Sequence, residues 1–359
     1  MSWTRTRAVR HAVFGAGAMA ALALPAPALA AKASVADGTL TITAAPGERN
    51  DAGIQLTDAG DLLLFDNRVK PTAGAGCRVV RGNAVCAAQG ITAIAVSLGN
   101  RNDSLSVEAS TPAITYSGGA GFDALYYGGA VKGAVNVSID GLANDGRNAA
   151  ADNIGADVEN LDGTPEADTL TAGAASALLD GGDSADVMTG GSGNDRIKAA
   201  YVEDTGIELG AFYALGRDTV TCGAGNDQVF ADRNDTIAGD CEVIGLRTGP
   251  ERYTYTGGSG NDRIQVDEFL DATVHGGAGN DVVTFPGQGN GIIFGDAGND
   301  VLSSSSATDH FRGGAGNDTI RARDGSADSI SCGAGRDTVK ADKQDKVARD
   351  CEKVSRRRR

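Results

Sequence analysis

The chain has 359 residues, and its 52 glycines are roughly twice the usual ~7% share. Only 8 prolines and no strict Gly-X-Y period exclude collagen, and 41% hydrophobic residues exclude a solvated disordered chain. Forty-seven acids against 32 bases give a net charge of −15, the wrong field for a nucleic-acid binder.

At the N-terminus, Arg5, Arg7 and Arg10 precede the apolar run Ala12–Leu24 and the small-residue exit Ala28-Leu29-Ala30. This order predicts a secretory signal peptide over residues 1–30, cleaved near Ala30 or Ala31. The apolar run is too short for the ~20 residues a membrane span needs, and no other stretch could span a bilayer. Residues 1–30 contain no acid, so the expected mature chain carries −18 and lies outside the cytoplasm, where cysteines pair.

Beyond residue 30 the sequence is organised by one recurring string. Gly-Gly-x-Gly-Asn-Asp appears as Gly190–Asp195, Gly257–Asp262, Gly276–Asp281 and Gly313–Asp318, with variants at Cys222–Asp227, Gly295–Asp300 and Cys332–Asp337. Residues 31–160 read as a β-rich section with eroded copies at Gly47–Asp51 and Gly99–Asp103 and a better one at Gly118–Asp123. Residues 161–245 form a first repeat bank, with markers at Asp168, Asp186, Asp195, Asp204, Asp218, Asp227 and Asp235. Leu246–Thr256, with Gly249-Pro250, is the expected joint to a second bank over 252–355.

In that second bank the strong markers fall at 262, 281, 300, 318 and 337, spaced by 19, 19, 18 and 19 residues. Weaker markers, Asp271, Gly291, Asp309, Asp328 and Asp345, sit between them. Two residues after each marker come Ile264, Thr273, Val283, Ile293, Leu302, Phe311, Ile320, Ile330, Val339 and Val347, a column in which Thr273 is the one polar member. A unit of about nine residues cannot bury its own apolar face, but stacked units can. The expected fold is all-β: a parallel β-roll or β-helix solenoid of Gly/Asp-rich nonapeptides, two units per turn, stapled by disulfides.

These strings resemble the hemolysin-type calcium-binding repeats of the RTX family, whose unit is Gly-Gly-x-Gly-x-Asp-x-large-x. The segment Asp140–Leu161 also resembles one found in secreted actinobacterial proteins of this kind. The resemblance implies a β-roll with Ca2+ held between loops of successive turns. An N-terminal signal and the Arg356–Arg359 ending depart from members exported by an uncleaved C-terminal signal. Calcium takes six to eight oxygens, from carboxylates and backbone carbonyls. The expected metal-site residues are Gly258, Gly260 and Asp262; Gly277, Gly279 and Asp281; Asp296, Gly298 and Asp300; Gly314, Gly316 and Asp318; Gly333, Gly335 and Asp337. Asp186, Asp195 and Asp227 extend the set into the first bank. Asp296 replaces a loop glycine, as an added ligand or a strained turn. Pro286–Gly291 lacks the carboxylate and is not expected to hold calcium. Without metal, adjacent carboxylates about 5 Å apart cost about 3 kcal/mol at an effective dielectric of 20, so folding and binding are expected to be coupled.

Cys222/Cys241 and Cys332/Cys351 are each 19 residues apart, one turn, with Asp-Cys-Glu at each second cysteine. Each pair is expected to form a disulfide that closes the end of a bank. Cys77 and Cys86 flank Arg81-Gly82-Asn83 and are expected to close a hairpin.

Catalytic motifs are missing: there is no His-Glu-x-x-His and no Gly-x-Ser-x-Gly. The expectation is therefore a secreted, non-enzymatic calcium-binding repeat protein, structural or adhesive at or outside the cell surface. Its partners would be calcium and cell-surface glycans or wall polymers. The alternative is a polysaccharide-active lyase- or epimerase-like enzyme stabilised by calcium, drawing on Tyr116, Tyr126, Tyr127, Lys132, Asp123 and Asp140.

Overall fold

The computed structural model describes residues 31–107, 111–127, 133–147, 151–199, 216–231, 235–241, 243–246, 253–266 and 271–356. The expected signal peptide, Lys132, Asp204, Gly249-Pro250 and Arg357–Arg359 lie outside these. The described residues form strands, turns and bridges, with no helix. Short apolar–polar alternations of three to seven residues, cut by Gly/Asp loops, leave no run long enough for helical periodicity.

Among the described residues one 17-stranded sheet extends from Asp51–Leu56 to Lys353–Arg356. From Ser104–Val107 through Ala124–Tyr127, Asn160–Asp162, Leu178–Asp180, Arg196–Lys198 and Gln228–Ala231 it adds one parallel strand per turn. It continues through Val243–Leu246 and Arg263–Val266 to Lys353–Arg356. Among the described residues three six-stranded sheets pair strands that alternate with those of the long sheet, the first reaching to Asn153–Ile154 past the Val135–Ser138 and Gly146–Arg147 strands of the second. The third contains Tyr253–Thr256, Ala272–His275, Gly291–Ala297, His310–Ala315, Ser329–Ala334 and Lys346–Val347. The long sheet passes unbroken from Val243–Leu246 to Arg263–Val266, so the second and third short sheets meet beside a continuous partner.

The first turns carry antiparallel additions. Lys32–Ala36 pairs with Thr39–Thr43, and Asp61–Asp66 pairs with Asp51–Leu56. Cys77–Val80 and Asn83–Ala87 form the expected hairpin, with Arg81 and Gly82 at positive φ and Cys77 opposite Cys86. Such hairpins occupy edges that a bare solenoid end would leave open.

Between the sheets lies one row of side chains per strand. Ile264, Val283, Leu302, Ile320 and Val339 are all fully buried from the long sheet. Val274, Ile293, Phe311 and Ile330 are buried from the short one. The second row corrects the sequence register: Ala272 pairs with Gly291, so the marker position is Ala272, not Asp271. Val274 then takes the inward position and Thr273 points away, which removes the polar exception from the column.

All three disulfides form as expected: Cys77–Cys86, Cys222–Cys241 and Cys332–Cys351. The last two bridge Cα atoms 5.2 Å apart. Cys222 directly follows one strand and Cys332 lies within another, and each bridges to the loop one turn later, at the final pair of a six-stranded sheet: Thr219–Thr221 with Thr236–Ile237, and Ser329–Ala334 with Lys346–Val347.

Candidate metal centre

The loop aspartates join successive turns. The Asp262 amide donates to Asp281 Oδ1 (2.8 Å), that of Asp281 to Asp300 (2.8 Å), that of Asp300 to Asp318 (2.9 Å) and that of Asp318 to Asp337 (2.8 Å). The Asp337 amide ends the run on Glu352 Oε2 (2.8 Å), the glutamate of Asp-Cys-Glu. The preceding asparagines run the other way: the amides of Asn280, Asn299, Asn317 and Arg336 donate to the side-chain oxygens of Asn261, Asn280, Asn299 and Asn317. Each Asn-Asp pair therefore clamps its loop to both neighbours.

The same device reaches back to the first turns. The amide of Asn50 donates to Asp103, that of Asp103 to Asp123, and that of Asp123 to Glu159. On the opposite edge Asp168 donates to Asp186, Asp186 to Asp218 and Asp218 to Asp235. The Asp186–Asp218 step spans 32 residues in place of 18, so the ladder passes over Asp204.

One carboxylate oxygen is consumed by the ladder, and the other decides the chemistry. Asp281, Asp300, Asp318 and Asp337 are buried on four consecutive turns, and Oδ2 of each has no hydrogen-bond partner. A buried acceptor left unpaired costs free energy, so an unpaired oxygen repeated on these four turns fits a cation-binding role. Asp186 has the same unpaired Oδ2 in the first bank. Asp195 and Asp262 differ: their Oδ2 atoms accept the Gly191 and Gly258 amides of their own loops, at 2.8 and 2.7 Å. In Asp227, Oδ1 takes the Asp195 amide.

The loop glycines complete the cradle. A Cβ on Gly276, Gly295 or Gly313 would strike Oδ2 of the loop's own aspartate and the carbonyl oxygen of the next turn. Each hollow thus holds a carboxylate oxygen facing a carbonyl oxygen, a hard all-oxygen donor set that fits calcium. These first-position glycines are absent from the residues read out of the sequence, although the string always has Gly or Cys there. Gly258, Gly277, Gly314 and Gly333 stack on backbone oxygens of the preceding turn, as do Gly279, Gly298, Gly316 and Gly335. At Gly298 a side chain is doubly barred, by φ +138° and by the Gly279 carbonyl. Gly260 meets no such neighbour.

Asp296 takes a different place. It has φ +69°, and its Oδ2 lies 2.9 Å from His275 Nδ1. His275 stacks on Phe294, with ring centres 4.1 Å apart. Its carboxylate is half-exposed and is not among the buried unpaired oxygens.

Burial shapes the titration of the ladder. It pushes Asp300 up to about 7, with Asp281 and Asp318 adding repulsion. It likewise pushes Asp186 up to about 7, with Asp218 and Asp168 adding. Asp281 and Asp318 are raised by burial too. Metal-free carboxylates held this way resist ionisation, and a cation relieves that.

Of the residues considered for sugar chemistry, Tyr116, Tyr127 and Asp123 are buried. Tyr116 donates to the Ala124 carbonyl and Tyr127 to Asp152, while Asp123 serves the ladder. Tyr126 is half-buried and its hydroxyl accepts from Asn160, while Asp140 caps an exposed turn at Leu142.

The family model described as the RTX calcium-binding nonapeptide repeat (4 copies) matches residues 162–197, 215–238, 256–284, 285–320 and 305–339. No curated protein matches the chain. The matched stretches hold Asp186, Asp195 and Asp227 of the first bank and the Asp262–Asp337 ladder of the second, so residues 162–339 carry repeats of the RTX calcium-binding nonapeptide type.

Proposed function

We propose that this calcium-binding repeat protein is exported and acts as a calcium-loaded structural or adhesive element at or outside the cell surface. The observation that carries the reading is the set of buried, unpaired Oδ2 atoms of Asp281, Asp300, Asp318 and Asp337 on four consecutive turns. Asp281, Asp300, Asp318 and Asp337 would hold the ions together with loop carbonyls. Bound calcium supplies positive charge between carboxylates that otherwise repel, so the roll stiffens where calcium is plentiful. The expected N-terminal signal supports export, and the acidic, repeat-built body supports a scaffold role. Among the described residues no helix is long and apolar enough to cross a membrane.

The test is fractionation of producing cells, followed by binding of the purified protein to cells, wall polymers and itself with calcium or chelator. Recovery outside the cytoplasm and calcium-dependent binding are expected. Cytoplasmic retention, or no binding to any of these with calcium present, would overturn the reading.

One observation favours a second reading, a polysaccharide-active enzyme. Asp162, Asp180 and Lys198 are register partners on adjacent strands of the long sheet, with Lys198 Nζ 3.1 Å from Asp180 Oδ2. Burial, then Asp180, pushes Asp162 up to about 7. An acid raised by burial beside a second carboxylate suits proton transfer to a sugar. Turnover of uronate polymers, lost in Asp162→Asn, would establish it, and inertness of the parent protein would dismiss it.

A further inference from the structure

The last turns carry a charge unlike the rest of the chain. Residues 336–359 hold ten of the 32 bases and five of the 47 acids, a balance of +5 on a chain of net −15. Backbone amides occupy those five acids. Asp337 Oδ1 accepts the Asp318 amide (2.8 Å), Asp342 Oδ2 that of Gly325 (2.7 Å) and Asp345 Oδ1 that of Asp328 (3.2 Å). Asp350 Oδ2 accepts the Gly333 amide (3.2 Å), and Glu352 Oε2 that of Asp337 (2.8 Å). Asp337, Asp342 and Asp345 are buried as well.

The bases face outward. Arg321 and Lys340 are register partners on the adjacent strands Thr319–Ala322 and Thr338–Ala341. Lys353 pairs with Thr338 from the final strand, Lys353–Arg356, so it stands diagonally across from Lys340 on the same side. All three are exposed, and Arg321 and Lys340 alternate with the buried Ile320 and Val339. Neighbouring strands lie about 4.8 Å apart, so these like charges repel. Arg323, also exposed, spends its guanidinium on the neutral Ser355 carbonyl (2.7 Å) and hydroxyl (3.2 Å). Among the described residues the ion pairs are Arg78–Asp61, Lys198–Asp180 and His275–Asp296, none of them on this face. On the three preceding turns the same outward column is uncharged, as Gln265, Thr284 and Ser303. The basic face is therefore confined to the end of the sheet.

We propose that the outward face of the last three strands of the long sheet, with Arg321, Lys340 and Lys353, docks a linear phosphodiester polymer at the cell surface. The assignment rests on the surface role proposed above and names its partner. Exposed positive charges without a local acid are matched by a ligand that brings several negative charges on one thin chain. The outward residues of these strands include no aromatic ring, so charge and not stacking selects the ligand. A rigid nucleic-acid duplex would also meet the acidic remainder of the chain, where 42 acids face 22 bases. Carboxylate polymers compete for the calcium that loads the roll, whereas a phosphodiester offers it no bidentate carboxylate.

The test is fluorescence anisotropy of labelled poly(glycerol phosphate) with the full chain in calcium, with binding to cells measured alongside. Three variants accompany the parent: Arg321→Gln/Lys340→Gln/Lys353→Gln, the milder Lys340→Gln, and a control, Lys32→Gln/Arg68→Gln/Lys70→Gln. The control removes the same charge from exposed positions on the first turns. Parent and control are expected to bind the polymer, less tightly as salt rises. The first triple variant is expected to keep its far-UV spectrum and to bind at least about tenfold more weakly, with Lys340→Gln between it and the parent. Its slope of log affinity against log salt should be shallower by about 2, at ~0.7 per charge contact. Equal binding by the two triple variants would overturn the proposal, because calcium or net charge would then hold the polymer. Tighter binding of DNA or polygalacturonate would overturn the choice of ligand, and self-association abolished only in the first triple variant would assign the face to a second copy instead. A parent that ignores the polymer yet binds cells sinks this proposal and leaves the surface role standing. A parent that binds neither sinks both.

Discussion

The Asp281 amide donates to Asp300 Oδ1 at 2.8 Å and leaves Asp300 Oδ2 buried with no partner. One oxygen thus sets the spacing of turns, and the other is held ready for a cation. The ladder alone does not exhaust the carboxylate, which separates Asp300 from Asp262, whose second oxygen caps its own loop. Substituting Asp300 by Asn keeps the ladder acceptor, so Asp300→Asn is expected to fold and to bind calcium less well, as isothermal titration would measure.

The pH dependence follows from the same burial. Asp300 and Asp186 are pushed up to about 7, far above an unfolded aspartate. A raised acid favours the protonated form in the fold, so its stabilisation is complete below about pH 4 and is lost as pH rises through about 7. In chelator, Tm is therefore expected to fall between about pH 4 and pH 7. Saturating calcium should remove or reverse that slope, with protons released on binding near neutral pH. A flat metal-free profile in thermal melts would contradict the assignment.

Gly298→Ala tests the stacking of loops. The new Cβ meets the Gly279 carbonyl at φ +138°, whereas Gly60→Ala at φ +75° meets nothing. Strain alone costs about 1–2 kcal/mol, and overpacking adds about 1–3 kcal/mol. Gly298→Ala should lose clearly more stability than Gly60→Ala in urea denaturation.

Replacing Cys332 and Cys351 together by Ser should cost about 3 kcal/mol on the chain-entropy estimate for a 19-residue loop. The loss should be local. Amide exchange should quicken first in Lys346–Val347 and Lys353–Arg356, the last strands of the two sheets, before the Val282–Phe285 region responds.

Leu302→Ala removes a fully buried side chain from the interior row between Val283 and Ile320. A cost of about 2–5 kcal/mol is expected in equilibrium unfolding, because neighbours fixed by the ladder cannot close the gap.

Much of this architecture was legible because the repeat repeats for a physical reason. The aspartate column marks the inter-turn hydrogen bond, and the apolar residue two positions later marks the core. Legibility fails where another residue does the same job. Ala272 holds a ladder position with no acid, which put the sequence register one residue early, at Asp271. Glu159 and Glu352 replace aspartate, and Ala177 contributes only its amide, to Asp195. The metal-site reading named loop glycines at positions two and four, where backbones stack. Position one was missed because its role, room for Asp Oδ2 and the neighbouring carbonyl, appears only when turns are superposed.

The most direct test of calcium as the ligand of the long ladder is a calcium titration of the chelated full chain followed by far-UV circular dichroism, with Asp281→Ala and Asp300→Ala alongside. The account predicts a cooperative gain of strand signal that both substitutions weaken and shift to higher calcium. An unchanged spectrum, or calcium binding indifferent to both aspartates, would contradict it and leave the ladder as hydrogen bonding between turns alone.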